Sequence, residues 1–204
     1  MISHHELAVA SEESYYVHTH VVNSAEATVT TWDDDNYICA FTGTQRDKRD
    51  ILTDLRAIPW WCRELRAWCH SGFLKTTRPL FDKLFPDLVA IVRDGNALHF
   101  TGHSLGAARA TIATASFRRA WATGKVTLTG FGSPPAQYGH GLEKWLKGVP
   151  TTIYKHGSDF VLSHPTLGSH ICDLTEVGSL DTLSRSLSEK RWLDHRIANY
   201  CKAI

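Results

Sequence analysis

One serine of the sequence lies in a spacing that suits nucleophilic chemistry. Residues 100–110 read FTGHSLGAARA, which places Ser104 between Gly102 and Gly106 in a G-x-S-x-G pattern. An apolar stretch precedes the pattern and an alanine-rich stretch follows it, which predicts a strand, a tight turn and a helix. Such a turn strains the serine backbone, needs small neighbours, and directs the hydroxyl toward unpaired N–H groups at the helix start. The alternative is a glycine-lined turn with an ordinary surface serine.

A nucleophilic serine needs a base to take its proton and a carboxylate to orient that base. In α/β-hydrolases the order along the chain is serine, acid, histidine. The segment 150–159 is predicted to be a strand and its loop, which places Asp159 at the carboxyl end of that strand, where open α/β sheets place their sites, although aspartate is also common in turns. His195 precedes a helical tail near the C-terminus. The sequence favours these two residues over the alternative acids Asp173, Asp181 and Asp194 and the alternative bases His164 and His170.

The elements that must position these residues alternate between strands and helices. A first helix is predicted within the first dozen residues, followed by strands at 15–22, 27–32 and 36–41, with the DDD segment 33–35 as a hairpin turn. Later helices are predicted at 48–55, on either side of Pro79 within 73–95, at 105–124 and at 142–148; later strands at 97–100, 125–134 and 150–159. This order predicts one α/β domain over residues 1–204, with a mainly parallel sheet, an antiparallel N-terminal hairpin and helices on both faces.

Composition excludes several other classes of protein. The 204 residues carry a formal net charge of +1, which gives no reason to expect a nucleic-acid partner. No apolar run is long enough to predict a transmembrane segment, and the N-terminus lacks the pattern of a signal peptide. The five cysteines show no paired spacing, and the His4/His5 and His18/His20 pairs lack further ligands, so no metal site is predicted. We expect reduced thiols and a cytoplasmic location, with a processed secreted form as the alternative.

The ordered set of motifs resembles the class 3 lipase family, the fungal-type triacylglycerol lipases and their relatives. CAFTGTQRDKRDILTDL is similar to that family's FRGT…DWLTDL segment, CHSGFL to its VHxGF, and FTGHSLGAARA to its nucleophile elbow. FGSPP, HGSDFVLSHP and DHRIANY are similar to the strand end, acid loop and histidine segment that follow. The matches run in order from about residue 27 to about residue 200, nearly the whole chain.

This resemblance implies an α/β-hydrolase that cleaves carboxylic esters, with lipid acyl esters as substrates and no metal or organic cofactor. It implies Ser104 as nucleophile, Asp159 as acid and His195 as base. The implied oxyanion hole consists of the N–H groups of Leu105 and Thr44, and Gly43 brings Thr44 close to the elbow. A phospholipase, a thioesterase and a non-catalytic protein that binds a lipid or another partner are alternatives. Transient contact with a lipid interface is also implied, whereas the oligomeric state is not predicted.

The chain differs from the family pattern at one residue and in the segment that corresponds to the fungal lid, and the residues of an acyl pocket are not specified by the pattern. Thr42 stands where the family usually has arginine. The segment 45–61 occupies the place of the fungal lid, but its apolar residues are expected mostly in the core: Ile51, Leu52, Leu55, Ile58, Trp60 and Trp61. Four residues behind the predicted acid are candidates to line an acyl pocket, with packing of their loop onto the core as the alternative: Val161, Leu162, Pro165 and Leu167.

Overall fold

The computed structural model describes residues 2–17, 19–22, 25–43, 58–178 and 187–204. The predicted helix at 48–55 and the residues Thr44, Ile51, Leu52, Leu55 and Asp181 lie outside these ranges. Six helices are described: α1 (His4–Glu13), α2 (Ser71–Arg93), α3 (Leu105–Ala120), α4 (Glu143–Leu146), α5 (Leu187–Asp194) and α6 (Ile197–Ala203). Ten strands accompany them: β1 (His20–Val22), β2 (Ala25–Asp33), β3 (Asn36–Phe41), β4 (Pro59–Cys62), β5 (Ala67–His70), β6 (Ala97–His103), β7 (Val126–Phe131), β8 (Gln137–Tyr138), β9 (Thr151–His156) and β10 (Leu174–Val177).

Seven strands form the main sheet, in the order β1-β2-β3-β6-β7-β9-β10. The pairs β1–β2 and β2–β3 are antiparallel, and every pair from β3 to β10 is parallel. The hairpin turn at 33–35 is confirmed, because Asp33 pairs with Asn36 across it. The predicted sheet, mainly parallel with an antiparallel N-terminal hairpin, is therefore confirmed.

Side chains of the central strands alternate between two cores, one on each face of the sheet. On β3, Cys39 and Phe41 pack in the larger core, which includes buried residues of α2 and α3. Ile38 and Ala40 point to the other face and join a smaller core with residues of α1 and α6. Helices on both faces follow from central strands that are buried on both sides.

Helix α2 is continuous, although two helical segments separated at Pro79 were predicted. It contains both Pro79 and Pro86. A proline inside a helix costs about 3 kcal/mol through its missing N–H and its ring clash. Eight side chains of this helix are buried, and each fully buried large apolar side chain contributes about 1.5–3 kcal/mol. Burial of that face outweighs the cost of the prolines, and the helix ends just before Gly95, whose φ is +93°, as predicted.

Several short elements differ from the prediction. The strand expected at 15–22 is limited to His20–Val22, since Tyr15 and Tyr16 lie in the turn after α1, and the helix at 142–148 has four residues. A second antiparallel sheet, β4-β5-β8, is not predicted by the sequence, and neither is β10. The strands of the second sheet have four residues or fewer, too few to show a clear periodicity.

The expectation that the apolar residues of the segment 45–61 lie mostly in the core is wrong for the three that are described. Ile58 is 75% exposed, Trp60 64% and Trp61 46%. Trp61 instead pairs across strands with Trp68 at 5.5 Å between ring centroids. Within the described ranges, every helix is too short or too polar to cross a lipid bilayer.

Candidate active site

Ser104 forms the turn between β6 and α3 and has an unusual backbone conformation. Its φ is +57° and its ψ −129°, a combination that costs on the order of 1–3 kcal/mol for a residue with a side chain. Two glycines make the turn possible. A Cβ on Gly106 would lie 2.0 Å from the Phe41 carbonyl oxygen, and one on Gly102 would lie 2.5 Å from the Gly106 carbonyl carbon. The small neighbours expected from the G-x-S-x-G spacing are therefore required by close backbone contacts.

The predicted nucleophile, base and acid lie together. His195 Nε2 is 2.8 Å from Ser104 Oγ, and His195 Nδ1 is 2.8 Å from Asp159 Oδ2. All three residues are buried. A carboxylate only accepts, so Nδ1 carries the proton and Nε2 is free to accept from the serine hydroxyl. This tautomer is the one that a general base needs.

Elements distant in sequence supply the base and the acid. Asp159 follows the carboxyl end of β9, two strands from β6, and His195 lies between α5 and α6. The alternative residues make other contacts. His164 Nδ1 is 3.0 Å from the Phe160 carbonyl oxygen, and His170 Nε2 is 2.7 Å from the Leu162 carbonyl oxygen. Asp173 is exposed.

Two further donors hold the Asp159 carboxylate. The Tyr200 hydroxyl donates to Oδ2 at 2.7 Å, and the Val161 N–H donates to Oδ1 at 2.9 Å. Burial, followed by the charge of Asp159, raises the pKa of Tyr200 well above its usual value, so this hydroxyl keeps its proton. Sequence analysis missed Tyr200, because nothing in the pattern separates it from other aromatic residues of a helical tail.

Replacing Tyr200 with phenylalanine should lower kcat for ester hydrolysis by roughly 10-fold, because a hydrogen bond to a charged group contributes about 1.5–3 kcal/mol. Tyr154→Phe is the matched control. Tyr154 is also buried, and its hydroxyl bonds to His4 Nδ1 at 2.6 Å instead of to Asp159. Steady-state kinetics on a soluble ester measure both variants. Equal losses of kcat would contradict a specific role for the Tyr200 hydroxyl.

His103, directly before the serine, contacts the backbone of the base. Its Nε2 donates to the His195 carbonyl oxygen at 2.6 Å, and its Nδ1 accepts from the Tyr15 hydroxyl at 2.9 Å. Burial, with a smaller effect of nearby His195, lowers the pKa of His103 well below its usual value. The imidazole is therefore neutral, which agrees with one nitrogen donating and the other accepting.

Only one of the two predicted oxyanion residues, Leu105, lies among the residues that the structure describes. Leu105 is the first residue of α3, directly after Ser104, whereas Thr44 lies outside the described residues. Gly43, which precedes it, is close to the elbow, because a Cβ there would lie 2.2 Å from the Tyr15 hydroxyl and 2.7 Å from the His103 carbonyl oxygen. The oxyanion roles of Leu105 and Thr44 stay predictions.

The residues that follow the acid differ in burial. Val161 and Leu162 are buried in a short 3-10 helix, and Leu167 is 81% exposed. Gly132, at the end of β7, has a φ of +57°, and a Cβ there would lie 2.7 Å from Asp159 Oδ2 and 3.1 Å from His195 Nδ1.

Thr42 stands at the position where the family usually has arginine. An arginine of α3 contacts this residue, because Arg109 Nη1 donates to the Thr42 carbonyl oxygen at 2.8 Å.

No cluster of three or more His, Cys, Asp or Glu side chains that could hold a metal ion occurs in the part of the chain that the structure describes. The hydrogen-bonded Ser–His–Asp arrangement supplies a nucleophile, a base and an oriented acid from side chains alone. Such an arrangement performs acyl transfer in proteins of unrelated fold.

A model of the family described as lipase (class 3) matches residues 38–167. Comparison with curated protein sequences found no match. A triacylglyceride lipase of Rhizomucor miehei has a similar structure, with a TM-score of 0.68 at 19% identity, covering 80% of this chain and 64% of the lipase. A triacylglycerol lipase of Penicillium expansum gives 0.66 at 16% identity over 88% of this chain and 79% of its own.

A third similar structure is a triacylglycerol lipase whose catalytic centre is formed by a serine protease triad. It gives a TM-score of 0.66 at 21% identity, covering 87% of this chain and 76% of its own. At these identities the likeness shows a shared fold, which confirms the predicted α/β-hydrolase fold. The chain spans 64% of the Rhizomucor miehei lipase, less than two thirds of its length.

Proposed function

Since the chain belongs to the class 3 lipase family, we propose that it is a serine hydrolase that cleaves carboxylic esters of fatty acids. The observation that carries this proposal is the buried chain of hydrogen bonds from Ser104 through His195 to Asp159. A surface serine in an ordinary turn would have neither a base in contact with it nor a strained backbone.

The proposed reaction consists of two acyl transfers. His195 Nε2 takes the Ser104 proton while Oγ attacks the ester carbonyl, and the protonated imidazole then gives that proton to the leaving alcohol. Water attacks the acyl-enzyme in the second half, with His195 again as base, and releases the fatty acid and the free serine. Asp159 stays ionised and holds the imidazole in the productive tautomer, supported by the hydroxyl of Tyr200.

The negative charge that develops on the carbonyl oxygen needs donors that are already in place. The N–H groups of Leu105 and Thr44 are proposed for this role, and each donor of an oxyanion hole contributes about 3 kcal/mol to transition-state stabilisation. The N-terminus of α3 adds a favourable dipole at the same position. The proximity of Gly43 to the elbow supports the proposal that the chain after it approaches the serine.

A fatty-acyl ester is the proposed substrate class, with transient contact between the protein and a lipid interface. Each CH₂ group buried in an acyl pocket contributes about 0.8 kcal/mol, close to a fourfold change in rate. Leu162 and Leu167 are proposed to contribute to this pocket. A cytoplasmic location also stays a prediction.

The test measures kcat/KM on p-nitrophenyl acetate, butyrate and octanoate, together with labelling of Ser104 by a fluorophosphonate. We expect labelling at Ser104 and kcat/KM that rises with chain length. Preference for acetate would contradict a fatty-acyl substrate but leave the ester hydrolase intact. Absence of both labelling and turnover would contradict the hydrolase and favour a protein that binds lipid without turnover.

A further inference from the structure

A second buried histidine–aspartate pair lies beside the first. His156 Nδ1 is 3.1 Å from Asp194 Oδ1, and both residues are buried. His156 is the last residue of β9, three positions before Asp159, and Asp194 directly precedes His195. The same two segments of chain are therefore joined twice, once by each pair.

The turn after β9 encloses the Asp194 carboxylate. The Ser158 N–H donates to Asp194 Oδ2 at 2.8 Å. Gly157 has a φ of +48°, and a Cβ on it would lie 2.9 Å from Asp194 Oδ2. The backbone thus passes so close to the carboxylate that only glycine fits, and Asp194 cannot shift without breaking contacts with the segment that carries Asp159.

From these contacts we propose that His156 and Asp194 are positioning residues for His195. The proposal rests on the proposed function, because it assigns to the pair the task of holding the catalytic base. Asp194 fixes the backbone on the N-terminal side of His195, while His103 holds the His195 carbonyl oxygen. The contacts of Asp194 and His103 restrict the backbone on both sides of the His195 side chain, which keeps the imidazole between Ser104 and Asp159.

The chemistry of the base makes such fixing necessary. Proton transfer requires reacting atoms in the correct geometry, and a misplacement of about 1 Å can cost about 100-fold in rate. His195 follows α5 and is joined to the main sheet through side chains and not through strand pairing. A buried polar group needs its hydrogen-bond partners, so the bonds that Asp194 makes to His156 and to the Ser158 N–H fix the position of its carboxylate.

The experiment compares Asp194→Ala, Asp194→Asn and His156→Gln with the wild type. Each protein is measured for kcat and KM on a soluble p-nitrophenyl ester, for the rate of fluorophosphonate labelling, and for its unfolding midpoint. We expect Asp194→Ala to lower kcat on the order of 100-fold with KM changed by less than about twofold. Asp194→Asn keeps an acceptor for the Ser158 N–H and should recover part of that loss.

His99→Gln is the matched control. His99 is also a buried strand histidine with both nitrogens bonded, to Thr127 Oγ1 at 2.8 Å and to Asn36 Oδ1 at 3.0 Å. It lies in β6 four residues before His103, toward the strand end opposite the elbow. We expect this variant to unfold at a lower temperature but to keep the kcat of the wild type.

A third measurement does not require turnover. The proton between His195 Nδ1 and Asp159 should give a low-field NMR signal that Asp194→Asn shifts or removes and His99→Gln leaves unchanged. If the wild type labels with the probe and the Asp194 variants match His99→Gln in kcat and in this signal, the positioning role is overturned. If the wild type neither labels nor hydrolyses esters, the proposed function fails instead, and the signal alone decides whether the pair orients His195.

Discussion

Ser104→Ala will remove nearly all ester hydrolysis while the protein still folds. The Ser104 hydroxyl is the atom that would form the acyl-enzyme, and it lies 2.8 Å from His195 Nε2. In a serine hydrolase with the same triad, loss of the nucleophile costs up to about 10⁶ in kcat. Loss of one hydrogen bond changes stability by only about 1 kcal/mol, and alanine accepts the φ of this turn no worse than serine does. Hydrolysis of a p-nitrophenyl ester and thermal unfolding measure the two effects.

Ser116→Ala is the control for this variant. Ser116 lies in α3, the helix that follows Ser104, is partly buried, and donates from Oγ to the Ile112 carbonyl oxygen at 2.8 Å. The Ser116→Ala variant should keep the activity and the fluorophosphonate labelling of the wild type. Activity in Ser104→Ala within tenfold of the wild type would show that the chain hydrolyses esters at another group, or that Ser104 is not the nucleophile.

Asp159→Asn should lower kcat by about 10⁴, because the amide no longer selects the tautomer that the base requires. A carboxylate accepts the Nδ1 proton of His195 at 2.8 Å. An asparagine can present its NH₂ group to Nδ1 instead, which places the imidazole proton on Nε2. A protonated Nε2 cannot accept the proton of the serine hydroxyl. The contacts from Tyr200 and from the Val161 N–H favour an oxygen acceptor, so some molecules will keep the productive tautomer.

Asp173→Asn separates this effect from a general loss of acidic charge. Asp173 is exposed and was an alternative acid on sequence grounds. Steady-state kinetics on the same ester should show Asp173→Asn equal to the wild type. A similar loss of kcat in both variants would show that neither carboxylate orients His195 specifically.

The elements that sequence analysis predicted are those in which a local signal and a long apolar pattern agree. The G-x-S-x-G turn is specified by backbone contacts within a few residues, so Gly102 and Gly106 indicated it directly. Strand β3 is apolar on both faces, which is typical of a buried parallel sheet, whereas β6 is buried on both faces but carries His99, Thr101 and His103 on one of them. The triad residues could be chosen because the order of serine, acid and histidine limits the alternatives.

Contacts between distant segments were not predictable in the same way. The hydrogen bond from Tyr200 to Asp159 and the pair of His156 with Asp194 each join residues that have no common motif. The strands of the second sheet are too short to show a periodicity. Trp60 and Trp61 of β4 are exposed although core positions are predicted for them, because hydrophobicity alone does not state which apolar residues remain in contact with water. The continuous α2 shows that burial of one helix face can override two prolines.

The conformation of Gly132 restricts how this site can evolve. The acid and the base occupy the space in which any other residue would carry its Cβ, so a single substitution there would separate two groups that must act together. Mutational drift around the site is therefore confined to other positions, and descendants of this chain that keep the reaction must also keep a residue with no side chain at the end of β7.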